Sequence, residues 1–263
     1  MTAIHPTAII HPTAELADGV EVGPYCVIGP KSRLGAGTRL LHHVSIVERT
    51  ILGEGNEVYP FAVLGADPQD KKFVDEETWL HIGDRNVFRE SVTVNRGTRF
   101  GGGETRIGHR CLIMAACHIA HDCILGNDIT MANTVLLGGH VVVEDNVGFG
   151  GLSALHHYVT VGRLAFVGGA SRINMDVPPF LISEGRPARV RAVNRVGLKR
   201  QGMGEELIGW LKDAQRLLFH EGLQREEALE RMRAIGPIPT EGKYLFEFMS
   251  RRYLGKQGRA LQP

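Results

Sequence analysis

The chain has 263 residues, enough for one large domain or two with a substantial core. Thirty lysines and arginines against 29 acids leave a net charge of +1, which gives no global field for nucleic acid or a membrane surface. There is no apolar run of the length a membrane helix needs, and an apolar ladder that starts at Ile4 leaves no room for a signal peptide, so no membrane span and a cytoplasmic location are expected.

Residues 1–65 carry one pattern throughout. Ile4, Ile10, Leu16, Val22, Ile28, Leu34, Leu40, Ile46, Leu52, Val58 and Leu64 recur every six residues. Neither the helical period of 3.6 nor the strand period of 2 produces this spacing. The residue after each apolar peg is often Gly, and the fourth residue after it is small or slim: Ala8, Ala14, Val20, Cys26, Ser32, Thr38. This resembles the hexapeptide repeat of the left-handed parallel β-helix. In that fold three hexapeptides make a triangular coil of 18 residues, and successive coils pair as parallel strands about 4.7–4.9 Å apart. No coil buries its own apolar face, so stacking supplies the core.

Residues 66–81 break the pattern with a polar stretch that contains Gln69, Asp70 and Lys72. The ladder resumes at Ile82, 18 residues after Leu64, so the break reads as a loop bulging from a coil, with its polar cluster facing a ligand. A second break, Arg99 to Arg106, contains Gly101-Gly102-Gly103 and reads as a surface loop. It lacks the Gly-Lys-Ser/Thr ending of a phosphate loop. From Ile107 the ladder runs through Ile113, Ile119, Leu125, Met131, Leu137, Val143, Phe149, Leu155, Val161 and Val167 to Ile173. Cys26, Cys111, Cys117 and Cys123 all stand four residues after a peg, without a Cys-x-x-Cys spacing, and read as small inward side chains kept reduced.

Pro178-Pro179 ends the ladder. Arg186, Arg189, Arg191, Arg195, Lys199 and Arg200 then follow with no acid among them. Leu207, Trp210, Leu211, Ala214, Leu217 and Leu218 fit a helix, with shorter helices expected over 226–235 and 244–253. The division expected is a β-helix over 1–189 and a helical domain over 190–263 that covers the open end of the rod.

Within the second ladder lies Cys117-His118-Ile119-Ala120-His121-Asp122. With an 18-residue coil, His121 stacks under Gly139, beside His140, and then under His157, beside His156. Each histidine alone fits an ordinary surface corner. Several in register suit a general base, and Gly139 offers an uncovered backbone N–H for an oxyanion.

Four stretches together carry a closer resemblance: Cys117–Asp122; Ile82–Thr98, with Ile-Gly-Asp-Arg-Asn and Arg-Glu-Ser-Val-Thr-Val-Asn-Arg-Gly-Thr; Asp176-Val-Pro-Pro-Phe180; and Val193-Asn-Arg-Val-Gly-Leu-Lys-Arg200. The chain resembles the acyl-carrier-protein–UDP-N-acetylglucosamine O-acyltransferases of lipid A biosynthesis over nearly its whole length. The resemblance implies a homotrimer with active sites between neighbouring rods, no cofactor and no resident metal. It implies transfer of a fatty, often 3-hydroxylated, acyl group from acyl carrier protein to the 3-OH of UDP-N-acetylglucosamine. His121 matches the general base, Asp122 its polarising partner and Gly139 the oxyanion donor. Asp70 and Lys72, with Gln69 nearby, match contacts to the nucleotide sugar. His118, His140 and His156 match further sugar contacts, and Asn194 and Arg200 match contacts to uridine and diphosphate. The basic run would suit an acidic carrier protein. The chain departs from the family pattern at Asn95, His157, Val196 and Gln201. Acylation of the 3-amino sugar analogue, another hexapeptide acyltransferase and a γ-carbonic-anhydrase-like zinc enzyme using His118 and His121 are the alternatives, with a non-catalytic scaffold the blandest.

Overall fold

The computed structural model describes residues 2–221 and 223–263. It is a left-handed parallel β-helix followed by a cluster of helices. Most strands are two residues long, each made of one outward residue and the peg that follows it, as in Val27–Ile28 or His118–Ile119. Ala3 pairs with Glu21 and Ile4 with Val22, which sets the 18-residue coil. Repetition of that step builds three sheets, one on each face of a triangular prism. The pegs from Val22 to Ile173 are almost wholly buried, in one core running the length of the rod. Burial of each such side chain is worth about 1.5–3 kcal/mol relative to leaving it in water. The small residues four places after the pegs are buried too, and polar ones among them are paired inside: Asn86 Nδ2–H donates to Asn56 Oδ1 at 3.0 Å.

The corners obey a rule that the repeat does not announce. The third residue after a peg adopts a left-handed backbone, whether it is Gly19, Gly37 and Gly55 or Tyr25, Asp122, His140 and Tyr158. The turn demands that conformation, and stacking against the next coil holds even non-glycine residues in it.

Two loops interrupt the coils. Leu52 pairs with Ile82, 30 residues on instead of 18, so 12 extra residues form the excursion over 66–78. Leu64 and Ile82 therefore lie on adjacent faces, and the 18 residues between them span one corner, not a whole coil. Ile82 pairs with Ile107, 25 residues on, so the Gly101–Gly103 loop inserts seven. Both loops leave the rod at the same corner.

After Ile173 the chain forms a hairpin, Leu181–Gly185 with Ala188–Val193. Its first strand extends the sheet of Phe166–Val167, so the rod's sheet runs past the expected boundary at 189 to Val193. Four helices follow: α1 (Arg195–Arg200), α2 (Glu205–Gln215, continued as a π-helical turn over Arg216–His220), α3 (Arg225–Ile235) and α4 (Thr240–Leu254). Leu198, Ile208, Leu211, Leu217, Leu245 and Met249 pack with Leu164, Phe180 and Val193 of the rod, so the helices cap its end as expected. Tyr244 Oη–H donates to Glu144 at 2.5 Å across this junction. Among the described residues no helix is long and apolar enough to cross a membrane.

Candidate active site

The corner after His118–Ile119 is where the chemistry gathers. Two columns of side chains stand there, one residue apart. His121, Gly139 and His157 occupy the second position after their pegs; Asp122, His140 and Tyr158 occupy the left-handed third position, with φ of 61°, 61° and 64°. The columns are held by backbone bonds between coils: His140 N–H donates to His121 O at 3.0 Å and Tyr158 N–H to Gly139 O at 3.1 Å. The His140 ring stacks on Tyr158 at 4.4 Å and presents its edge to His121 at 5.2 Å. The single histidine column read from the sequence is thus two parallel columns, with His156 to one side of them.

His121 and Asp122 form a buried dyad, 8% and 5% exposed. His121 Nδ1–H donates to Asp122 Oδ2 at 2.7 Å. A carboxylate only accepts, so Nδ1 carries the proton and Nε2 keeps its lone pair. The ring lies directly on Gly139. A Cβ there would come within 2.6 Å of His121 Cε1 and 2.8 Å of Nε2, so only glycine fits beneath the imidazole.

The Gly101–Gly103 loop, expected to be mere surface, holds the dyad's carboxylate. Thr98 N–H donates to Asp122 Oδ1 and Thr98 Oγ1–H to Oδ2, both at 2.7 Å. Asp122 N–H in turn donates to Thr105 Oγ1 at 2.8 Å. Any Cβ on Gly101 would strike the carboxylate at 2.0–2.3 Å, which explains one glycine of the three. Burial alone would raise the Asp122 pKa, but His121, both Thr98 donors and nearby His140 outweigh it and hold the carboxyl below its ordinary value. Partial burial pushes His118, His140 and His157 below theirs, with His121 adding to the effect on all three.

The excursion loop is bolted beside this corner. The Arg96 guanidinium, 1% exposed, meets Glu48 at 2.7 Å and Asp67 at 2.6 Å and lies over the Phe73 ring. Arg99 N–H donates to Glu76 Oε2 at 2.6 Å, which ties the excursion to the glycine loop. Asp70 accepts the Lys72 N–H at 3.0 Å and is close enough to act electrostatically on His140 and His157. Gln69 and Lys72 are exposed on the same loop.

The other expected residues divide into two groups. His118 lies on the flat face beside the corner, sharing a hydrogen bond with Thr93 Oγ1 at 2.8 Å, and His156 is exposed one coil above Gly138. Asn194 and Arg200 are elsewhere. They line a groove with Asn146, Phe149, Phe166 and Gln201, at the next edge of the prism. There Asn194 caps α1, accepting the Gly197 N–H at 3.1 Å while donating to Leu164 O at 2.8 Å. Gln201 donates to Asn146 Oδ1 at 2.8 Å. One chain therefore leaves the expected residues at two separate edges. Nor is the Gly139 N–H uncovered: it donates to His157 Nδ1 at 2.9 Å. Sequence reading missed Thr98, Thr105, Arg96 and this role of His157. Arg96 and Thr98 stood in a quoted stretch, but nothing in the six-residue period marks a residue inside an insertion.

His121, Asp122 and His140 bring ligand atoms within 4.8 Å of one another, a donor set that could suit a cation. The Asp122 oxygens already accept three donors, and His121 Nδ1 is committed to one of them.

Comparisons with known proteins converge. The second domain of the family described as UDP N-acetylglucosamine O-acyltransferase matches residues 176–258. The acyl-[acyl-carrier-protein]–UDP-N-acetylglucosamine O-acyltransferase of Anaeromyxobacter sp. (strain Fw109-5) is 47% identical over 232 residues, 88% of this chain and 90% of the relative. Its counterpart from Syntrophobacter fumaroxidans is 44% identical over 94% of this chain and 96% of its own length. Among solved structures, the UDP-N-acetylglucosamine O-acyltransferase of Moraxella catarrhalis RH4 superposes with a TM-score of 0.88 at 41% identity, covering 93% of this chain and 95% of that one. The UDP-N-acetylglucosamine acyltransferase of Bacteroides fragilis 9343 gives 0.91 at 34%, over 94% and 96%.

Proposed function

The chain belongs to the UDP-N-acetylglucosamine O-acyltransferase family, and from that membership we propose how its own residues carry out acyl transfer from acyl carrier protein to UDP-N-acetylglucosamine in lipid A biosynthesis. The observation that carries the reading is the His121–Asp122 dyad seated on Gly139. His121 Nε2 takes the proton of the sugar 3-OH as that oxygen attacks the thioester carbonyl of a fatty, 3-hydroxylated acyl chain. The C–O bond forms, the carbonyl π pair moves onto oxygen, and the Gly139 N–H receives the oxyanion. Collapse breaks the C–S bond, and the His121 imidazolium returns its proton to the departing sulfur. Asp122, kept ionised by Thr98, stabilises the imidazolium in between. No step calls for a cofactor or a metal.

Asp70, Lys72 and Gln69 grip the nucleotide sugar from the excursion loop, with His118, His140 and His156 around the sugar. Asn194 and Arg200 complete the nucleotide site from a neighbouring subunit. Their position at a different edge of the prism supports a homotrimer, because only an adjoining rod brings the two edges together. The four free, buried cysteines fit a reducing cytoplasm.

The test is a product assay by mass spectrometry. Chelator-treated protein meets carrier-protein thioesters of graded chain length and UDP-N-acetylglucosamine. One acyl group gained, and lost in His121→Ala, is expected. No product with this sugar but a product with its 3-amino analogue would move the acceptor from oxygen to nitrogen. Activity that depends on added zinc would overturn the mechanism.

A further inference from the structure

The Gly139 N–H sits beside His121 Nε2, where the reacting carbonyl must come, yet it is already hydrogen-bonded to His157 Nδ1 at 2.9 Å. That bond needs an unprotonated Nδ1, so His157 is the Nε2–H tautomer. Partial burial, His156 and His121 all favour the neutral ring. The ring is exposed to solvent on its outer side, so it is free to swing away. Stacking dictates the contact: 139 and 157 are one coil apart in the same column, and Tyr158 N–H fixes the spacing by its bond to Gly139 O.

We propose that His157 is a displaceable occupant of the oxyanion donor, a positioning residue that holds the Gly139 N–H until charge develops on the substrate. The inference rests on the acyl-transfer reading above. A neutral thioester carbonyl is at best an equal competitor for the N–H. A developing oxyanion is a much stronger acceptor than an imidazole nitrogen. The exchange therefore favours the transition state over the bound ground state, which is where selectivity for the reacting carbonyl is gained. A side chain without an acceptor at this position would leave the N–H to water or to the substrate from the start.

The test compares the full-length wild type with His157→Phe, which keeps a ring but loses the acceptor, and with His157→Ala. Initial rates are measured with carrier-protein thioester and UDP-N-acetylglucosamine, and the Gly139 amide is followed by NMR in 15N-glycine-labelled protein. Both variants are expected to raise kcat/KM for the thioester roughly two- to tenfold, the equilibrium equivalent of one ordinary neutral hydrogen bond. The KM for the sugar nucleotide stays put. The amide resonance shifts upfield in both variants. An unchanged or lower kcat/KM, or an amide that does not move, overturns the proposal. A wild type that makes no product refutes the acyl-transfer reading and the role of His157 in it, while the amide shift still reports whether the bond exists.

Discussion

Gly139→Ala tests the site's geometry with a single methyl group. Gly139 is not in the left-handed region, so alanine brings no backbone strain. Its Cβ would lie 2.6 Å from His121 Cε1 and 2.8 Å from Nε2. Ordinary carbon contacts begin near about 3.5 Å, so the imidazole must retreat by roughly 1 Å. It is not free to do so at no cost, because its far side is fixed by the 2.7 Å bond to Asp122, itself locked by Thr98. The ring either leaves the position from which it reaches the sugar hydroxyl or breaks the bond that fixes its tautomer. A misplacement of about 1 Å in a catalytic group costs on the order of 10²-fold in rate. The expected result is a kcat lower by about 10²-fold, with KM for both substrates within about threefold and a melting temperature close to wild type. Initial rates and thermal unfolding on the same preparation measure all of this. A variant within tenfold of wild-type kcat would mean that the ring does not work from where it lies, and the reasoning would fail.

Thr98→Val removes one donor to Asp122 without changing shape; one hydrogen bond is worth about 1 kcal/mol. The Asp122 pKa is depressed in the fold, so its stabilisation is complete above the unfolded value of about 3.9 and vanishes as pH falls through the folded value. The variant should therefore lose stability at higher pH on acidification, and an acid-unfolding midpoint that does not rise contradicts the assignment. His81, His118, His140 and His157 have lowered pKa values, so the unfolded chain takes up protons first, near about pH 6.5. Stability from these groups is intact above that pH and declines as pH drops through it; urea midpoints at pH 7.5 and 5.5 should show a fall that His140→Asn reduces. Arg96→Met strands Glu48 and Asp67 at the root of the excursion loop. Loss of one partner of a buried pair costs about 3–5 kcal/mol, and the low end applies because Asp67 is largely solvated. KM for the sugar nucleotide should rise and that for the carrier thioester should not; equal effects on both would count against a loop-specific role.

The rod was legible because its signal is redundant. Every coil repeats the same apolar peg, so the period survives two insertions and a change of sequence between halves. The insertions were legible as interruptions but not in their register. Eighteen residues from Leu64 to Ile82 equals a coil length by coincidence, and only the pairing of Leu52 with Ile82 shows that they turn one corner. The end of the rod was misjudged for a related reason. Pro178-Pro179 stops the ladder, but the sheet passes to a hairpin whose strands follow an ordinary two-residue alternation.

The site was legible wherever it obeys the 18-residue step and obscure wherever it does not. His121, Gly139 and His157 are related by that step, as are Asp122, His140 and Tyr158, so the columns follow from counting. Thr98 reaches Asp122 from an insertion, where counting has no force, and Arg96 is buried by the same detour. The two-residue strands supply the reason for this division of labour. A coil presents only one side chain per corner position, fixed by its neighbours above and below. It can place a base, a carboxylate and a backbone donor within reach of each other, but it cannot also surround them. The surrounding donors must come from chain that leaves the coil, and both detours leave at the corner where the dyad stands. The groove at Asn194 and Arg200 belongs to the next edge, so whatever closes the site on its remaining side must come from outside this chain.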